Sequence, residues 1–377
     1  MNLSVGIVGL PNVGKSTLFN ALLKKQQAMV ANYPFATIEP NIGVVEVPDE
    51  RLRTLAEITK TEEKMSELPP IKSATVNFVD IAGLVKGANE GAGLGNKFLS
   101  HIREVNVIAH VVRAFTDENV IREGSSEPES DYASIQIELI LADLETAMSH
   151  EARIKDQGEK TLMNRIIENL NAGIPLRSMK FSDEENELVK QLFFLSNKPE
   201  IIVLNVNEDE YISSKVTGLV SKYSEILQLP KNKFIVICAK IEAELAGLDA
   251  DEQREYLKDL EFGDSGLERL IQKAYEELGL ISFLTAGVKE VRAWTIKKGI
   301  DAKNAAGEIH PDFIQKFIKA EVVSFNDFIG ESGPASTRGD EPTRGGWKWA
   351  RENGKARLEG KDYIVNDGDV VEFKIGS

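Results

Sequence analysis

Eight residues near the start of the chain, G-L-P-N-V-G-K-S from Gly9 to Ser16, restrict the fold more than any other part of the sequence. They follow an apolar run over 3–8 and precede a helical pattern over 15–23. Glycines at the first and sixth positions let successive backbone N–H groups converge on phosphate oxygens, and the helix N-terminus that follows favours anions. A phosphate-binding loop between a strand and a helix is a P-loop, so the sequence predicts a nucleotide-binding domain.

The residues of this loop have separate predicted roles. Lys15 is expected to reach the β- and γ-phosphates as a catalytic group, and the Ser16 hydroxyl is expected to bind Mg²⁺. Further nucleotide contacts are expected in the loop and the first helical turn, at Asn12, Val13, Gly14 and Thr17. The octet therefore predicts a P-loop nucleoside-triphosphatase that uses Mg²⁺.

Two later segments offer the rest of a phosphate and metal site. A D-x-x-G sequence, from Asp80 to Gly83, closes a buried strand pattern. In a G domain such an aspartate is the second Mg²⁺ anchor, and the glycine N–H can bond the γ-phosphate. Thr37 lies in a segment punctuated by proline and glycine and is a candidate third Mg²⁺ ligand; an ordinary loop threonine is the alternative.

The base-binding residues are predicted at the ends of two further strands. An apolar run over 201–204 leads into Asn205-Val206-Asn207-Glu208, where G domains carry Asn-Lys-x-Asp. Asn205 can bond purine N7, whereas the carboxylate distinguishes guanine from adenine. Glu208 is one methylene longer than aspartate and would miss the guanine geometry, which favours adenine. Cys238 and Ala239 follow another strand and are expected beside the base. The alternative for this motif is a plain acidic loop.

The hydrophobic pattern predicts an α/β fold whose sheet is mostly parallel. Nearly continuous apolar runs alternate with helical segments, as in strands that are buried on both faces. The predicted strands are 3–8, 43–47, 76–80, 107–112, 201–205 and 234–238. After residue 281 shorter strands with turn signals are predicted at 291–296, 321–323, 363–365 and 370–375, which indicates a second α+β domain.

The predicted domains are a G domain over 1–130 and 199–280, an inserted helical hairpin over 131–198 and a C-terminal domain over 281–377. In the insertion Ile137, Leu141, Leu144 and Met148 repeat at 4-3-4 spacing, as in a coiled-coil seam. An antiparallel coiled-coil hairpin is therefore expected; a plain structural helix pair is the alternative.

Composition favours a cytoplasmic protein. A single cysteine rules out an intrachain disulfide and suits a reducing compartment. No apolar run approaches the ~20 residues that span a bilayer, and the N-terminus lacks the pattern of a signal peptide. The net charge of −15 resides in the first 280 residues, since 281–377 has equal numbers of basic and acidic side chains. We therefore expect two different functional surfaces and no membrane contact.

Several stretches together resemble the YchF family, an Obg-related group of G-domain proteins. They are GLPNVGKST, NYPFATIEPN, DIAGLVKGA, GAGLGNKFL and NVNE, with a tail that is similar to a TGS domain, a ubiquitin-like β-grasp module. The resemblance covers essentially the whole chain. It implies an ATPase that prefers ATP over GTP and associates with the ribosome, either its large subunit or the whole particle. It also implies RNA or ribosomal contact by the TGS domain, with the helical hairpin as another candidate surface, and we expect a monomer.

The resemblance also bears on catalysis. Leu84 stands after the D-x-x-G sequence, where Ras-like enzymes carry a glutamine that orients water. Slow hydrolysis with stimulation by a partner is therefore expected. In related G domains an asparagine at the position of Asn12 helps to bind K⁺, so K⁺ is an expected cofactor beside Mg²⁺.

A basic segment in the C-terminal domain suggests contact with rRNA. Seven basic residues interleave with Trp347 and Trp349, a combination used for single-stranded or looped RNA. They are Arg338, Arg344, Lys348, Arg351, Lys355, Arg357 and Lys361. The alternative is a solvated loop whose tryptophans pack against the sheet. Two other functions also stay open: a GTPase of the same fold, and a ribosome- or RNA-binding protein whose nucleotide site is mainly structural.

Overall fold

The computed structural model describes residues 3–30, 41–81, 96–115, 127–330 and 345–376, and all structural statements below concern these ranges. Thr37, Gly83, Leu84, Arg338 and Arg344 lie outside them, so the roles predicted for these residues stay predictions. The chain divides into two compact units: 1–45 with 76–278, and 46–75 with 279–377.

The elements are numbered along the chain. The strands are β1 Ser4–Val8, β2 Ile42–Glu46, β3 Ile71–Lys72, β4 Thr75–Asp80, β5 Val107–Arg113, β6 Glu200–Asn205, β7 Phe234–Ile237, β8 Leu280–Ala286, β9 Val291–Lys297, β10 Phe317–Ser324, β11 Arg357–Glu359 and β12 Asp369–Ile375. The helices are α1 Lys15–Val30, α2 Arg51–Glu62, α3 Asn96–Glu104, α4 Pro128–Glu151, α5 Gln157–Asn171, α6 Asp183–Gln191, α7 Ser213–Leu227, α8 Ala239–Leu245, α9 Ala250–Asp259, α10 Gly266–Glu277, α11 Ala302–Ile309, α12 Asp312–Lys316, α13 Phe325–Phe328 and α14 Gly346–Glu352.

The first unit is built on a sheet with the strand order β2-β4-β1-β5-β6-β7. The pairs β1–β4, β1–β5, β5–β6 and β6–β7 are all parallel. Every residue of β5 and of β6 is buried, as the continuous apolar runs predict for central parallel strands. The predicted α/β fold and its six strands in this part of the chain are confirmed, with boundaries that shift by one residue at most.

The inserted segment contains most of α4 together with α5 and α6, and five residues, 152–156, join α4 to α5. Asp156 caps α5 by accepting a hydrogen bond from the Glu159 N–H at 2.8 Å. The turn is closed by an ion pair from Lys160 to Glu151 at 3.1 Å and by a contact of His150 Nε2 with Glu159 at 2.9 Å. This agrees with the prediction of a hairpin.

The coiled-coil seam predicted within this hairpin is wrong. Ile137, Leu141 and Met148 are 54%, 53% and 56% exposed, so α5 does not cover them. The buried side of α4 follows a different stripe: Ile135 and Leu139 pack beneath the sheet, and residues such as Ile140 pack with α5. The sheet and α5 both pack on that side of α4, and three of the four heptad residues lie on its uncovered side, with Leu144 at the edge of the contact with α5.

The second unit is built on a mixed sheet with the strand order β11-β10-β12-β8-β9-β3. The pairs β8–β9, β10–β12 and β10–β11 are antiparallel, whereas β12 runs parallel to β8. Buried alanines of α11, including Ala302 and Ala305, pack into its core with Phe283 and Ile296. This agrees with the predicted β-grasp arrangement, except that 363–365 contributes one isolated bridge at Ile364 instead of a strand.

The segment 46–75 belongs to the second unit, whereas the sequence places it in the G domain. β3 pairs in parallel with β9, and the Val291 N–H donates to the Pro70 carbonyl at 2.9 Å. The Arg51 guanidinium forms an ion pair with Asp367 at 2.8 Å. A two-residue strand is too short to show a hydrophobic period, so the sequence does not predict that 46–75 belongs to the second unit. The other predicted domain boundaries stay a prediction.

No helix in the described ranges is both long enough and apolar enough to cross a membrane.

Candidate functional site

The candidate site lies at the carboxyl edge of the first sheet. Because β4, β1, β5, β6 and β7 run parallel, the segments that follow them meet at one edge. This edge carries the phosphate loop after β1, Asp80 at the end of β4, Asn205 at the end of β6 and Cys238 after β7. Ligands of open α/β sheets bind in this position. The fold thus brings together residues that are more than two hundred positions apart in the sequence.

The phosphate loop needs glycine at two positions for backbone reasons. Gly9 has φ 153° and Gly14 has φ 99°, in the region that side chains rarely adopt. A Cβ on Gly9 would lie 2.5 Å from the Val111 carbonyl oxygen, and one on Gly14 would overlap the Asn205 amide. The Leu18 N–H donates to the Gly14 carbonyl at 3.0 Å and begins the first turn of α1. Loop and helix are therefore joined as a phosphate cradle requires.

Lys15 lies inside this cradle. Its side chain is 7% exposed, and its ammonium donates a hydrogen bond to the Leu10 carbonyl at 2.5 Å. Burial lowers the pKa of Lys15 to about 8, and the nearby Asp80 carboxylate offsets part of that effect. Ser16 and Thr17, by contrast, are exposed at the start of α1, where their hydroxyls can reach a ligand.

This pKa predicts that triphosphate binding takes up a proton at alkaline pH. Phosphate oxygens favour the charged ammonium, so they should raise the lowered pKa of Lys15 on binding. At pH 9 we expect an uptake of roughly 0.8 proton per site, falling towards zero below pH 7. Calorimetric titration of a non-hydrolysable triphosphate in two buffers of different ionisation enthalpy measures this quantity. The same uptake in Lys15→Met would show that another group titrates.

Asp80 and Ser16 form a donor set that suits Mg²⁺. Asp80 is buried at the end of β4, opposite Ile7 in the β1–β4 register, and its charge reaches the Lys15 ammonium. A carboxylate with a hydroxyl is the hard oxygen chemistry that Mg²⁺ prefers, usually together with waters and substrate phosphates. The described residues hold no cluster of three or more His, Cys, Asp or Glu side chains that could bind a metal ion. Asp80 and Ser16 therefore suit a Mg²⁺ ion that a bound nucleotide also coordinates.

Asn205 joins the phosphate loop to the base loop. Its amide nitrogen donates to the Val13 carbonyl at 2.9 Å, and its amide oxygen accepts from the Ala239 N–H at 2.9 Å. All three residues are buried. Val206, which was predicted to contact the nucleotide, has a buried side chain, and its N–H donates to the Ile237 carbonyl at 2.9 Å. The Asn205 side chain is thus a clamp that fixes the distance between the two loops.

The predicted base-reading carboxylate lies at the surface. Glu208 is 52% exposed and forms an ion pair with Lys240, which follows Ala239 in the base loop. This pair raises the pKa of Lys240 through a hydrogen bond and charge attraction. Cys238 is buried, and burial raises the pKa of its thiol, so it packs as an apolar residue. Glu208 and Lys240 therefore hold two predicted base-binding segments side by side.

A buried carboxylate behind the base loop was missed by the sequence analysis. Glu242 of α8 accepts hydrogen bonds from the Gly266 N–H at 2.7 Å and from the Tyr211 hydroxyl at 3.0 Å. Tyr211 follows the turn that contains Glu208, and its hydroxyl also accepts from Arg269 at 3.1 Å. Burial raises the pKa of Glu242, and these donors oppose the shift. The sequence does not predict that Glu242 is a buried hydrogen-bond acceptor, because it lies in an ordinary helical pattern and its partners come from distant segments.

Comparison with known proteins agrees with this geometry. A family model described as "50S ribosome-binding GTPase" matches residues 4–149, and the model of the YchF GTPase C-terminal domain, described as a protein of unknown function, matches residues 280–376. The chain is 45% identical to "Ribosome-binding ATPase YchF" of Bacillus subtilis (strain 168), over 99% of each chain. It is 45% identical to the protein of the same name from Escherichia coli O157:H7, again over 99% of each. The solved "Structure of the Schizosaccharomyces pombe YchF GTPase" is 34% identical, with a TM-score of 0.84 over 99% of this chain and 98% of that one.

The fold and the site thus define a P-loop protein with a GTPase-type nucleotide domain. The matches extend over both units of the chain, including the C-terminal domain. The chain belongs to the YchF family.

Proposed function

We propose that this chain is a Mg²⁺-dependent nucleoside-triphosphatase that prefers ATP over GTP, forms ADP and phosphate, and associates with the ribosome as a nucleotide-dependent switch. One observation carries the base preference: Asn205 clamps the base loop as in a purine site, while the carboxylate three residues later is Glu208 and not aspartate. The names of the relatives support ATP hydrolysis and ribosome binding. We place this activity in the cytoplasm and expect a monomer.

Catalysis is proposed to work by positioning and charge neutralisation, as is usual for phosphoryl transfer. Lys15 supplies a buried cation at the β- and γ-phosphates, and the N–H groups of the phosphate loop, at the N-terminus of α1, would donate hydrogen bonds to the phosphate oxygens. Ser16 and Asp80, with Thr37, would hold Mg²⁺, which would neutralise charge on the phosphate oxygens. The Gly83 N–H would bond the γ-phosphate. Leu84 cannot hydrogen-bond a water, so it offers no replacement for the usual glutamine.

Glu208→Asp should shift the base preference towards guanine. The shorter side chain brings the carboxylate into guanine geometry and weakens its pair with Lys240. We expect the ratio of GTP to ATP affinity to rise about tenfold, the value of one well-placed hydrogen-bond pair. Calorimetry with both nucleotides and Mg²⁺ measures the ratio. Glu210→Asp, two residues further along the same turn, is the matched control and should leave the ratio unchanged. An unchanged ratio in Glu208→Asp would remove this residue from base recognition.

Hydrolysis should be slow without a stimulating ion or partner. Because Leu84 cannot orient water, we expect turnover far below the ~10 s⁻¹ that is typical of enzymes. K⁺ bound near Asn12 would add positive charge at the phosphates, so KCl should accelerate ATP hydrolysis relative to NaCl at equal ionic strength. Steady-state phosphate release in the two salts tests this. Equal rates near the typical value in both salts would contradict the proposal of a slow switch.

Among its described residues, the basic segment of the C-terminal domain carries fewer free cations than its sequence indicates. Arg351 pairs with Glu321 at 2.8 Å, and Lys355 pairs with Asp327 at 2.9 Å. The Trp347 indole N–H donates to the Ala286 carbonyl at 3.3 Å. These contacts favour the alternative in which this tryptophan packs within its own unit.

Co-sedimentation tests the ribosome association directly. Purified protein is mixed with ribosomes in the presence of ADP or of a non-hydrolysable ATP analogue, and the pelleted fraction is measured. A switch predicts a pelleted fraction that differs between the two nucleotides. Absence of pelleting with either nucleotide would refute the association, whereas equal pelleting with both would leave binding without a switch.

A further inference from the structure

The uncovered side of α4 carries an apolar stripe of four residues. We call Ile137, Leu141, Leu144 and Met148 the α4 stripe. Three of its members are more than half exposed, and Leu144 is half-buried at its edge. The described part of the chain leaves Ile137, Leu141 and Met148 open to solvent, whereas Leu144 packs at the edge of the cluster that includes α5. Neighbouring apolar side chains that are exposed together on one helix face are a candidate contact site.

The spacing of the stripe indicates the shape of its partner. The residues repeat at 4-3-4 intervals, which are the a and d positions of a heptad pattern. The stripe extends for about 17 Å along α4, or two heptads, given a rise of 1.5 Å per residue. Alternating three- and four-residue steps fit the facing side chains of another α-helix, whereas an extended strand would match a two-residue period. The occupant is therefore a helix.

The residues beside the stripe indicate the charge of that helix. Glu138 and Glu145 occupy the e positions, and within the described ranges neither has an ion-pair partner. The g positions are Ile140 and Ala147, which are buried in the core of their own unit. The e-position flank of the stripe is thus acidic, whereas the g-position flank is buried and cannot contact a partner. Charges beside an apolar seam select the partner, so this flank favours lysine and arginine.

A second copy of this chain is a poor occupant for the same reason. Antiparallel pairing of two stripes would bring e positions together and set glutamates against glutamates. Parallel pairing would require the g positions, which their own core already occupies. Like charges across such a seam disfavour the pair. The stripe therefore selects a different protein.

We propose that the α4 stripe is a docking surface for a basic amphipathic helix of a protein partner. The source of that helix is a basic protein of the ribosome. This identification of the partner rests on the ribosome association proposed above. Two heptads bury little surface, so the contact is weak by itself and works beside another ribosomal contact.

A synthetic helix tests the surface without any ribosome. The probe is a three-heptad peptide with Ile and Leu at its a and d positions and Lys at e and g, labelled for fluorescence anisotropy. We expect it to bind the full-length protein, and Leu141→Glu with Met148→Glu should weaken binding at least tenfold. Ile226→Glu replaces another exposed isoleucine, on α7, and should change nothing.

A charge exchange separates helix docking from nonspecific stickiness. A twin peptide with Glu at e and g should bind wild type at least tenfold more weakly than the Lys peptide. Glu138→Lys with Glu145→Lys should reverse that order. Equal binding of both peptides to wild type, or no binding of the Lys peptide, would overturn the proposal. Sedimentation equilibrium that shows a wild-type dimer, lost in Leu141→Glu, would assign the stripe to a second copy instead.

Ribosome co-sedimentation then identifies the source of the helix. The Leu141→Glu, Met148→Glu variant should pellet less with ribosomes than wild type while it hydrolyses ATP at the wild-type rate. If this variant binds no peptide but pellets like wild type, the ribosomal source is wrong. If wild type itself does not pellet, the proposed ribosome association fails, and the peptide results still decide the surface.

Discussion

Lys15→Met is expected to reduce nucleotide hydrolysis by about 10²–10³-fold, the loss typical of removing one preorganised group that stabilises transition-state charge. Lys15 places a buried ammonium inside the phosphate loop, and methionine has similar length without the charge. Single-turnover hydrolysis with saturating nucleotide and Mg²⁺ measures the effect apart from binding.

Thermal unfolding of Lys15→Met shows whether a loss of hydrolysis comes from a loss of folding. Burial lowers the pKa of Lys15 to about 8, so the folded state disfavours its charge at neutral pH. Methionine removes that penalty, and thermal unfolding of the nucleotide-free variant at pH 7 should therefore occur at the same temperature or higher. Lys180→Met changes an exposed lysine and should alter neither property. Hydrolysis within threefold of wild type in Lys15→Met would contradict the catalytic role.

Asn205→Ala should have the second largest effect, on both stability and nucleotide affinity. The substitution leaves the Val13 carbonyl and the Ala239 N–H buried without their partner. At about 1–3 kcal/mol for each of the two unsatisfied groups, the free energy of unfolding should fall by about 2–6 kcal/mol. Because the two loops are then no longer clamped, nucleotide affinity should fall about 10²-fold.

Two further variants separate the clamp from a general loss of fold. Asn205→Asp keeps an acceptor for the Ala239 N–H but sets a buried carboxylate oxygen against the Val13 carbonyl and adds negative charge beside the phosphate loop, so its affinity should be no higher than that of Asn205→Ala. Asn164→Ala removes an exposed amide of α5 and should leave affinity unchanged. Denaturant unfolding and calorimetry are the measurements. Wild-type affinity in Asn205→Ala would show that the clamp does not organise the site.

The sequence predicts the first sheet well because its strands carry their own signal. β1, β5 and β6 are each built around a short run rich in apolar residues, a pattern typical of strands that are buried on both faces. The phosphate loop is equally local, since its glycines, lysine and serine lie within eight residues. Asn205 could be located by its position at a strand end, although its bridging role needed coordinates.

Other features depend on long-range packing that a linear pattern does not contain. The heptad spacing on α4 is real, but only the fold decides that α5 packs on a different side. The exchange of 46–75 rests on the short strand β3 and on single contacts such as Arg51 with Asp367. Glu242 acquires its partners from Tyr211 and from the start of α10, both distant in sequence. The sequence does not predict these three features for one reason. Each depends on which side of a helix or strand packs against a segment that is distant in the sequence.

We propose that the G-type nucleotide site of this chain is adapted to adenine. Calorimetric titration of the wild-type protein with ATP and with GTP, at the same Mg²⁺ concentration and in the same K⁺ buffer, tests it most directly. We expect ATP to bind at least tenfold more tightly than GTP, because Glu208 does not present its carboxylate to guanine as aspartate does. Equal affinities, or tighter binding of GTP, would contradict it.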